Sequence, residues 1–461
     1  MILDSDVAVV GAGLSGLVTA FVLARGGLRV QVIEAASQAG GVISTARCDG
    51  MLYERGPNSA LDTHACIGEL LDQLGIAGER IEASTIASRR YVLKNGVPAA
   101  LPTSPPAFLR TRLFSTIAKL RLLREPFIAP ASATADESVT QFVRRRLGNE
   151  FLDYAIEPFV AGVYAGNPDE LSLAAAFPRL HTLEQRYGSL IKGQIKGARE
   201  RNRRNERGRN VATSFSFRDG MQTLVDALAH ALPGTLVASP ATRFERGRDG
   251  IFHVEASGDE PVRTASRALV LAVPAPAAAD LLRDHDPDAA DALTEVIYAP
   301  VASVASLYRR SDVAHALDGF GFLVPRVEKR RILGSLFSSS MFEGRASEGM
   351  AVLTSFAGGR RQPDIARQSE DTVARLVQGE LGALLRAGTP VKTVVTRWTH
   401  AIPQYTLGHL DRIRRIEQAE HNMPGLFLCS SYRGGVSVGD RIKCGYETAE
   451  RIRIRLGEAK P

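Results

Sequence analysis

The 461-residue sequence has only four cysteines, Cys48, Cys66, Cys429 and Cys444, and they form no CxxC pair. That scatter excludes a cysteine-based zinc site and a thioredoxin-type redox pair, and it fits free thiols in a reducing compartment. No run of about 20 apolar residues occurs, so no transmembrane helix is expected. The first residues lack the basic-then-apolar pattern of a secretory leader, and a cytoplasmic protein is expected. No Ser-His-Asp set, paired acid/base carboxylates or metal cluster can be picked out, so no metal and no catalytic side chain are expected. His64, His181, His400 and His409 are read as structural. Acidic residues are scarce in one place: Lys192 to Arg209 carries a net +6 of the chain's +7. Without interleaved aromatics or a recognised motif, this run argues against nucleic-acid binding. A solvated, mobile loop is the plain reading and attraction to anionic lipid the functional one.

What is present is an ordinary globular composition, 44% hydrophobic and 23% charged. At roughly 100–200 residues per domain it allows two to four units. The most informative stretch is Val7 to Glu34. A short apolar run, Val7 to Val10, predicts a buried strand. Gly11, Gly13 and Gly16 follow at GxGxxG spacing, with Ala12, Leu14 and Ser15 between them. Leu17, Ala20, Phe21 and Ala24 recur at helical spacing, and a second strand ends on Glu34. Gly11 permits a tight turn, Gly13 lets a pyrophosphate approach the backbone, and Gly16 lets the helix pack closely on the sheet. The helix N-terminus offers N–H groups to the pyrophosphate, and Glu34 can accept from ribose hydroxyls. A dinucleotide site is expected here.

Further along, Gly40 and Gly41 again allow close backbone approach. Residues 67 to 75 predict a helix, and Arg89 to Leu101 a hairpin turning at Asn95-Gly96. Phe108 to Leu123 predicts one amphipathic helix, with Leu109, Leu113, Ile117 and Leu120 on a face flanked by Arg110, Arg112, Lys119 and Arg121. It is either core-packed or laid on an anionic membrane. Residues 137–147 and 149–163 predict helices, the second kinked or broken at Pro158. The α/β pattern resumes at Phe215, with a helix to Leu232 and strands at Leu236–Val237, Thr242–Glu245, Ile251–Glu255 and Ala268–Val273. Strands at 301–308, 321–324, 331–337 and 351–356 suggest an antiparallel sheet. A helix over 363–385, strands at 391–398 and 426–429, and a helix over 440–456 after Gly434-Gly435 complete the pattern.

Four blocks are more specific than the glycine motif: DESVTQFVRRRLGNEFLDYAIEPFVAGVYAGNPDELSL (136–173), FPRLHTLEQRYGSLIKG (177–193), IPQYTLGHLDRI (402–413) and SYRGGVSVGDRI (431–442). With them, the chain resembles the flavin-dependent, oxygen-using protoporphyrinogen oxidases of the amine oxidase-like superfamily over almost its whole length. The resemblance implies an α/β fold: a discontinuous Rossmann-like FAD domain (1–60, 212–275 and 420–461), an α+β substrate domain on an antiparallel sheet (61–100 and 276–419) and a helical membrane-binding insertion (101–211). It implies that Gly11 to Gly16, Glu34 and Ala35 hold the ADP half of FAD. Gly40, Gly41, Val42, Gly56, Pro57 and Asn58 would approach the flavin side, and Ala241 would meet the adenine. Val436, Ser437 and Val438 would contact the ribityl or flavin edge. Trp398 would wall the flavin, with ordinary core packing the alternative.

For the substrate, the resemblance implies that Arg90 binds a propionate, its fork suited to a carboxylate, with a surface salt bridge as the plain alternative. Leu323 and Phe342 would line the apolar face, and backbone at Gly162 would approach the macrocycle. The lack of a second GxGxxG favours FAD as the sole bound carrier. The implied reaction takes six electrons from protoporphyrinogen IX and passes them to molecular oxygen, giving peroxide. Coproporphyrinogen III is the alternative substrate. Another amine oxidase or desaturase activity, or a non-enzymatic FAD-stabilised membrane or assembly protein, are further alternatives. The chain departs from the family pattern at Gln38, where many members carry arginine, and at Arg441 and Cys444, where a cysteine commonly follows the aspartate. Peripheral membrane association is expected, and a homodimer stays open.

Overall fold

The computed structural model describes residues 2–132, 135–203, 213–235, 237–258 and 261–457. Val7–Val10 lies inside a four-stranded parallel sheet, ordered Leu426–Leu428, Ala268–Leu271, Val7–Val10, Val30–Ile33. Covered on both faces, the strand is apolar throughout rather than alternating. Its chain leaves through Gly11 (φ +104°), where a Cβ would lie 2.8 Å from the Ala272 carbonyl oxygen. Helix Leu14–Arg25 follows, and the long C-terminal helix Val438–Leu456 packs across it. A Cβ on Gly445 would come within 2.7 Å of Val18, so this crossing depends on the missing side chain. Ala241–Arg246, Phe252–Ala256 and Val262–Ser266 form a meander beside this sheet, with Ile2–Asp4 parallel to its last strand.

The second large layer is a seven-stranded sheet: Lys392–Pro403, Tyr298–Arg309, Met350–Gly358, Ile332–Leu336, Gly321–Leu323, Tyr91–Lys94, Val97–Ala100. Its pairs are antiparallel except Gly321–Leu323 with Tyr91–Lys94. Helix Glu370–Leu385 buries Val373, Val377, Leu381 and Leu384 against one face. The expected helix over 363–385 is two helices, because the chain is extended at Gln368 and Ser369 restarts it by accepting from Thr372 N–H.

Between Pro105 and Arg203 the described residues are mostly helical, with three departures from expectation. Phe108–Leu123 is not one helix. Pro105–Arg110 stops at Thr111, which is extended, and Ser115 caps a new helix, Thr116–Arg121. The break lets Leu113 and Phe114 turn into a core with Phe151 and Val92, a gain a straight helix would forgo. Helix 149–164 is not broken at Pro158: helical dihedrals run through Ile156 and Glu157 into its last segment, Glu157–Tyr164. Its irregularity is a π-helical turn at Leu152–Ile156. The basic run expected as a loop is helical from Leu190 to Arg203; its remainder, from Arg204, lies outside the described residues. So does Leu236, and Val237 belongs to no strand. The short strands Ala60–Leu61, Arg80–Glu82 and Ser214–Phe217, and the hairpin Thr45–Cys48/Met51–Glu54, escaped the sequence pattern.

Candidate cofactor and substrate site

The glycine turn leaves its backbone bare. Gly16 sits so close to the Gly11 carbonyl oxygen that a Cβ would collide with it, whereas a Cβ on Gly13 would meet nothing within 4 Å. Gly13 is the N-cap of its helix and brings no side-chain acceptor to the first-turn N–H groups. Gly40 pairs with Gly13 as an isolated parallel bridge, and a Cβ on Gly41 would lie 3.2 Å from the Gly13 Cα. Free helix N–H groups facing open space beside three glycines fit a pyrophosphate.

Glu34 closes the far side. Ala12 N–H donates to its Oε2 (2.6 Å) and Ala36 N–H to its Oε1 (2.8 Å). Each oxygen keeps acceptor capacity for a ribose hydroxyl. Ala238 N–H donates to the Ala36 carbonyl and Ser239 N–H to the Glu34 carbonyl, both at 2.8 Å, which brings the start of the Ala241 strand beside Glu34 and Ala35. These residues together fit the ADP half of a dinucleotide.

Gly56, Pro57 and Asn58 run past Val42, with Gly56 tight against the Val42 carbonyl oxygen. The Trp398 indole N–H donates to the Arg55 carbonyl (2.7 Å), so the tryptophan stands beside this segment. Ser437 caps the last helix, accepting from Asp440 N–H (3.1 Å). Val438 joins the core of the first helix, and Val436 packs toward Tyr405 and Tyr164.

On the sheet, Arg90 enters the strand Tyr91–Lys94, and its guanidinium lies 5.1 Å from the Phe320 ring centre. Phe320 packs in one cluster with Phe342. Arg89, one residue earlier, is engaged by Asp318 (2.5 Å). Among the described residues, no carboxylate pairs with Arg90, which leaves its fork for an anion. Gly162 and Leu323 meet directly: a Cβ on Gly162 would lie 2.8 Å from Leu323 Cδ2.

Three residues that the sequence reading passed over hold these groups. Glu54 is buried and accepts from Thr45 Oγ1 (2.7 Å) and Met221 N–H (2.9 Å). Burial raises its pKa against those hydrogen bonds and the Arg345 guanidinium, 3.9 Å away. Glu54, Arg345, Asn58 and Phe342 line a cavity of about 10 Å³, enough for one water, where the segment expected at the flavin meets the one expected at the substrate. The Tyr405 hydroxyl donates to the Ser431 carbonyl (2.7 Å) and accepts from Gly435 N–H (2.9 Å), fixing the turn before the last helix. An acid just before Gly56 and a tyrosine closing IPQY were the available signals; Arg345 gave none. His409 is buried against the Tyr432 carbonyl (3.0 Å), and burial first, then Arg412, pushes its pKa down to about 4.

A nucleotide cradle joined to a broad antiparallel sheet with an unpaired arginine suits a dinucleotide-dependent enzyme that takes an anionic substrate, and the family match makes it a flavin-dependent oxidoreductase. The chain belongs to the flavin containing amine oxidoreductase family, whose profile matches residues 14–453. Its cofactor is FAD. The chain is 32% identical to protoporphyrinogen oxidase 2, chloroplastic/mitochondrial, of Arabidopsis thaliana, over 97% of this chain and 93% of the relative. It is 29% identical to coproporphyrinogen III oxidase of Bacillus subtilis (strain 168), over 95% and 96%. A solved Exiguobacterium sp. 255-15 structure assigned as a protoporphyrinogen oxidase has the same fold, with a TM-score of 0.81 at 23% identity, covering 99% of this chain and 100% of that one.

Proposed function

We propose that the protein oxidises protoporphyrinogen IX to protoporphyrin IX, with molecular oxygen as acceptor. Six electrons and six protons leave the macrocycle, and three oxygen molecules become three of hydrogen peroxide. FAD, when bound, supplies two-electron acceptance from carbon and return of the electrons to oxygen. The protein's part is placement. Arg90 holds one propionate bidentately, its cationic charge unspent on any described carboxylate. Phe342, Leu323 and the bare backbone at Gly162 hold the ring against an apolar wall. Trp398 and Gly56 to Asn58 bound the flavin side, while Val436 to Val438 meet the flavin edge. No protein base is required, since the leaving N–H protons can pass to water. The observation that carries the reading is the unpaired Arg90 over Phe320, next to apolar Phe342. One binding arginine suits a macrocycle with two propionates better than one with four.

We also assign the three-part division given above, with 101–211 as a membrane-facing insertion. What supports this is a run of exposed apolar side chains, Leu109 (71% exposed), Ile117 (81%), Leu120, Leu123 and Phe127 (86%), among Arg110, Arg112, Arg121 and Arg124. No helix among the described residues is long and apolar enough to cross a membrane, so the contact proposed is peripheral.

The test is a purified holoenzyme offered both porphyrinogens, with porphyrin fluorescence and peroxide followed together. Preferential oxidation of protoporphyrinogen, with three peroxides per porphyrin, is expected. Oxidation of neither overturns the enzyme reading; preference for coproporphyrinogen overturns the substrate. Arg90→Ala is expected to raise KM with flavin content unchanged, and unchanged kinetics would remove Arg90 from the site.

A further inference from the structure

The helix Glu157–Tyr164 carries Gly162 and is held at both ends by one turn of the sheet, Gly358 to Arg361. At its start, the Arg361 guanidinium pairs with the Glu157 carboxylate and donates to the Glu157 carbonyl (3.3 Å) and the Val324 carbonyl (3.0 Å). Arg326 N–H donates to Glu157 Oε2 (2.9 Å). Val324 directly follows Leu323. One buried cation thus grips both the helix that bears Gly162 and the strand end that bears Leu323.

At the helix end, Arg360 N–H donates to the Ala165 carbonyl (2.8 Å), and the Arg360 side chain holds Glu170 (2.8 Å). Gly359 has φ +70°, and a Cβ there would stand 2.6 Å from the Ala165 oxygen, so the turn tolerates no side chain. The helix needs such support. It follows the π-helical turn Leu152–Ile156 and ends on Ala165 in the left-handed region (φ 45°), two irregularities that its own hydrogen bonds do not enforce. Arg361 is 10% exposed. Burial draws its pKa down to about 10, so it stays charged at neutral pH.

We infer that Arg361 is a positioning residue: clamped to Glu157 and Val324, it holds Gly162 against Leu323 and so fixes the wall that the two present together to the macrocycle. This rests on the porphyrinogen reading, and it adds a residue that touches neither substrate nor cofactor. The nucleotide cradle lies in the other sheet, so the clamp is independent of FAD retention.

The experiment compares holoenzyme variants Arg361→Met, Arg361→Lys, Leu323→Ala and the double Arg361→Met/Leu323→Ala. Arg361→Met is expected to keep full FAD content and raise the porphyrinogen KM by about tenfold, the scale of one lost charge-assisted hydrogen bond. Amides of 157–164 should exchange faster with deuterium. Arg361→Lys should recover part of both effects, and it serves as the probe if Arg361→Met does not accumulate. In the double variant, Leu323→Ala should add less than it costs alone. Unchanged KM with unchanged exchange, or additive effects of the two substitutions, would overturn the clamp. If the wild type oxidises no porphyrinogen, the functional reading falls, while exchange at 157–164 still judges the clamp.

Discussion

Replacing Arg146 by methionine tests how the helical region is held in place. The Arg146 side chain is fully buried. Its Nε donates to Glu184 Oε1 (2.6 Å), Nη1 to Glu125 Oε1 (3.0 Å) and the Ile128 carbonyl (3.1 Å), and Nη2 to the Gly188 carbonyl (3.0 Å). Glu125 is also fully buried and, with the same carboxylate, accepts from Leu190 N–H (2.8 Å), Ile191 N–H (3.2 Å) and Ser189 Oγ (2.5 Å). The pair therefore ties the exposed apolar segment Leu122–Phe127 to helices Val139–Arg146 and Leu190–Arg203. Arg146→Met strands a buried carboxylate, which costs about 3–5 kcal/mol. In native-state hydrogen exchange, that lowers protection of the linked helices by about 10²- to 4 × 10³-fold. Flavin content should hold, because the cradle shares no residue with this network. Glu125→Gln added to Arg146→Met removes the stranded charge and should recover much of the loss. Contact length alone is not the criterion: Arg243 to Glu255 is equally short at 2.6 Å, but Arg243 is exposed, and Arg243→Ala should leave exchange unchanged. A loss of protection under tenfold for Arg146→Met, or equal losses for the two arginines, would refute the argument.

Gly13→Val should abolish FAD retention, read as flavin absorbance per chain, while the apoprotein melts normally; Gly16→Val should instead fail to fold. Burial raises the Glu184 carboxyl, but hydrogen bonds from Arg145 and Arg146 outweigh it and hold its pKa below the ordinary 4.5. Its stabilisation is therefore full above that value and lost as pH falls through the lower folded pKa, so exchange in the 139–203 region should accelerate on acidification below about 4.5. Ile117→Glu with Phe127→Glu removes two exposed apolar anchors worth about 1.5–3 kcal/mol each if buried in lipid. Co-sedimentation with anionic vesicles should fall at least about 100-fold, and undiminished binding would remove this segment from the proposed contact.

The nucleotide unit was legible because its signals are local. Strand, glycines, helix and terminal acid lie within 28 residues, each imposing its own backbone requirement. Helix breaks were less legible, since tertiary burial decided them. Leu113 and Phe114 fit an amphipathic stripe as well as any residue in 108–123, and only the core with Phe151 and Val92 explains why the chain turns there. Short strands such as Ala60–Leu61 and Arg80–Glu82 carry too few residues for a period to show. In the candidate site, the sequence reading named residues expected to face a ligand. Arg345 and Arg361, which hold them, act through partners more than 25 residues away in sequence or through backbone carbonyls, and neither contact leaves a local pattern.

The glycines of the opening motif separate two kinds of information that a pattern alone merges. Gly11 and Gly16 are demanded by the protein: one takes a positive φ against Ala272, the other touches the Gly11 carbonyl, and both constraints persist with nothing bound. Gly13 meets neither demand. Its φ is ordinary at −71°, and a Cβ there would touch no atom of the chain. Folding alone would accept alanine at that position at little cost, and an alanine would remove the conformational freedom that glycine loses on folding. A glycine with no structural reason, at the head of a helix without a side-chain cap, is therefore the residue of the motif that the proposed dinucleotide contact would explain.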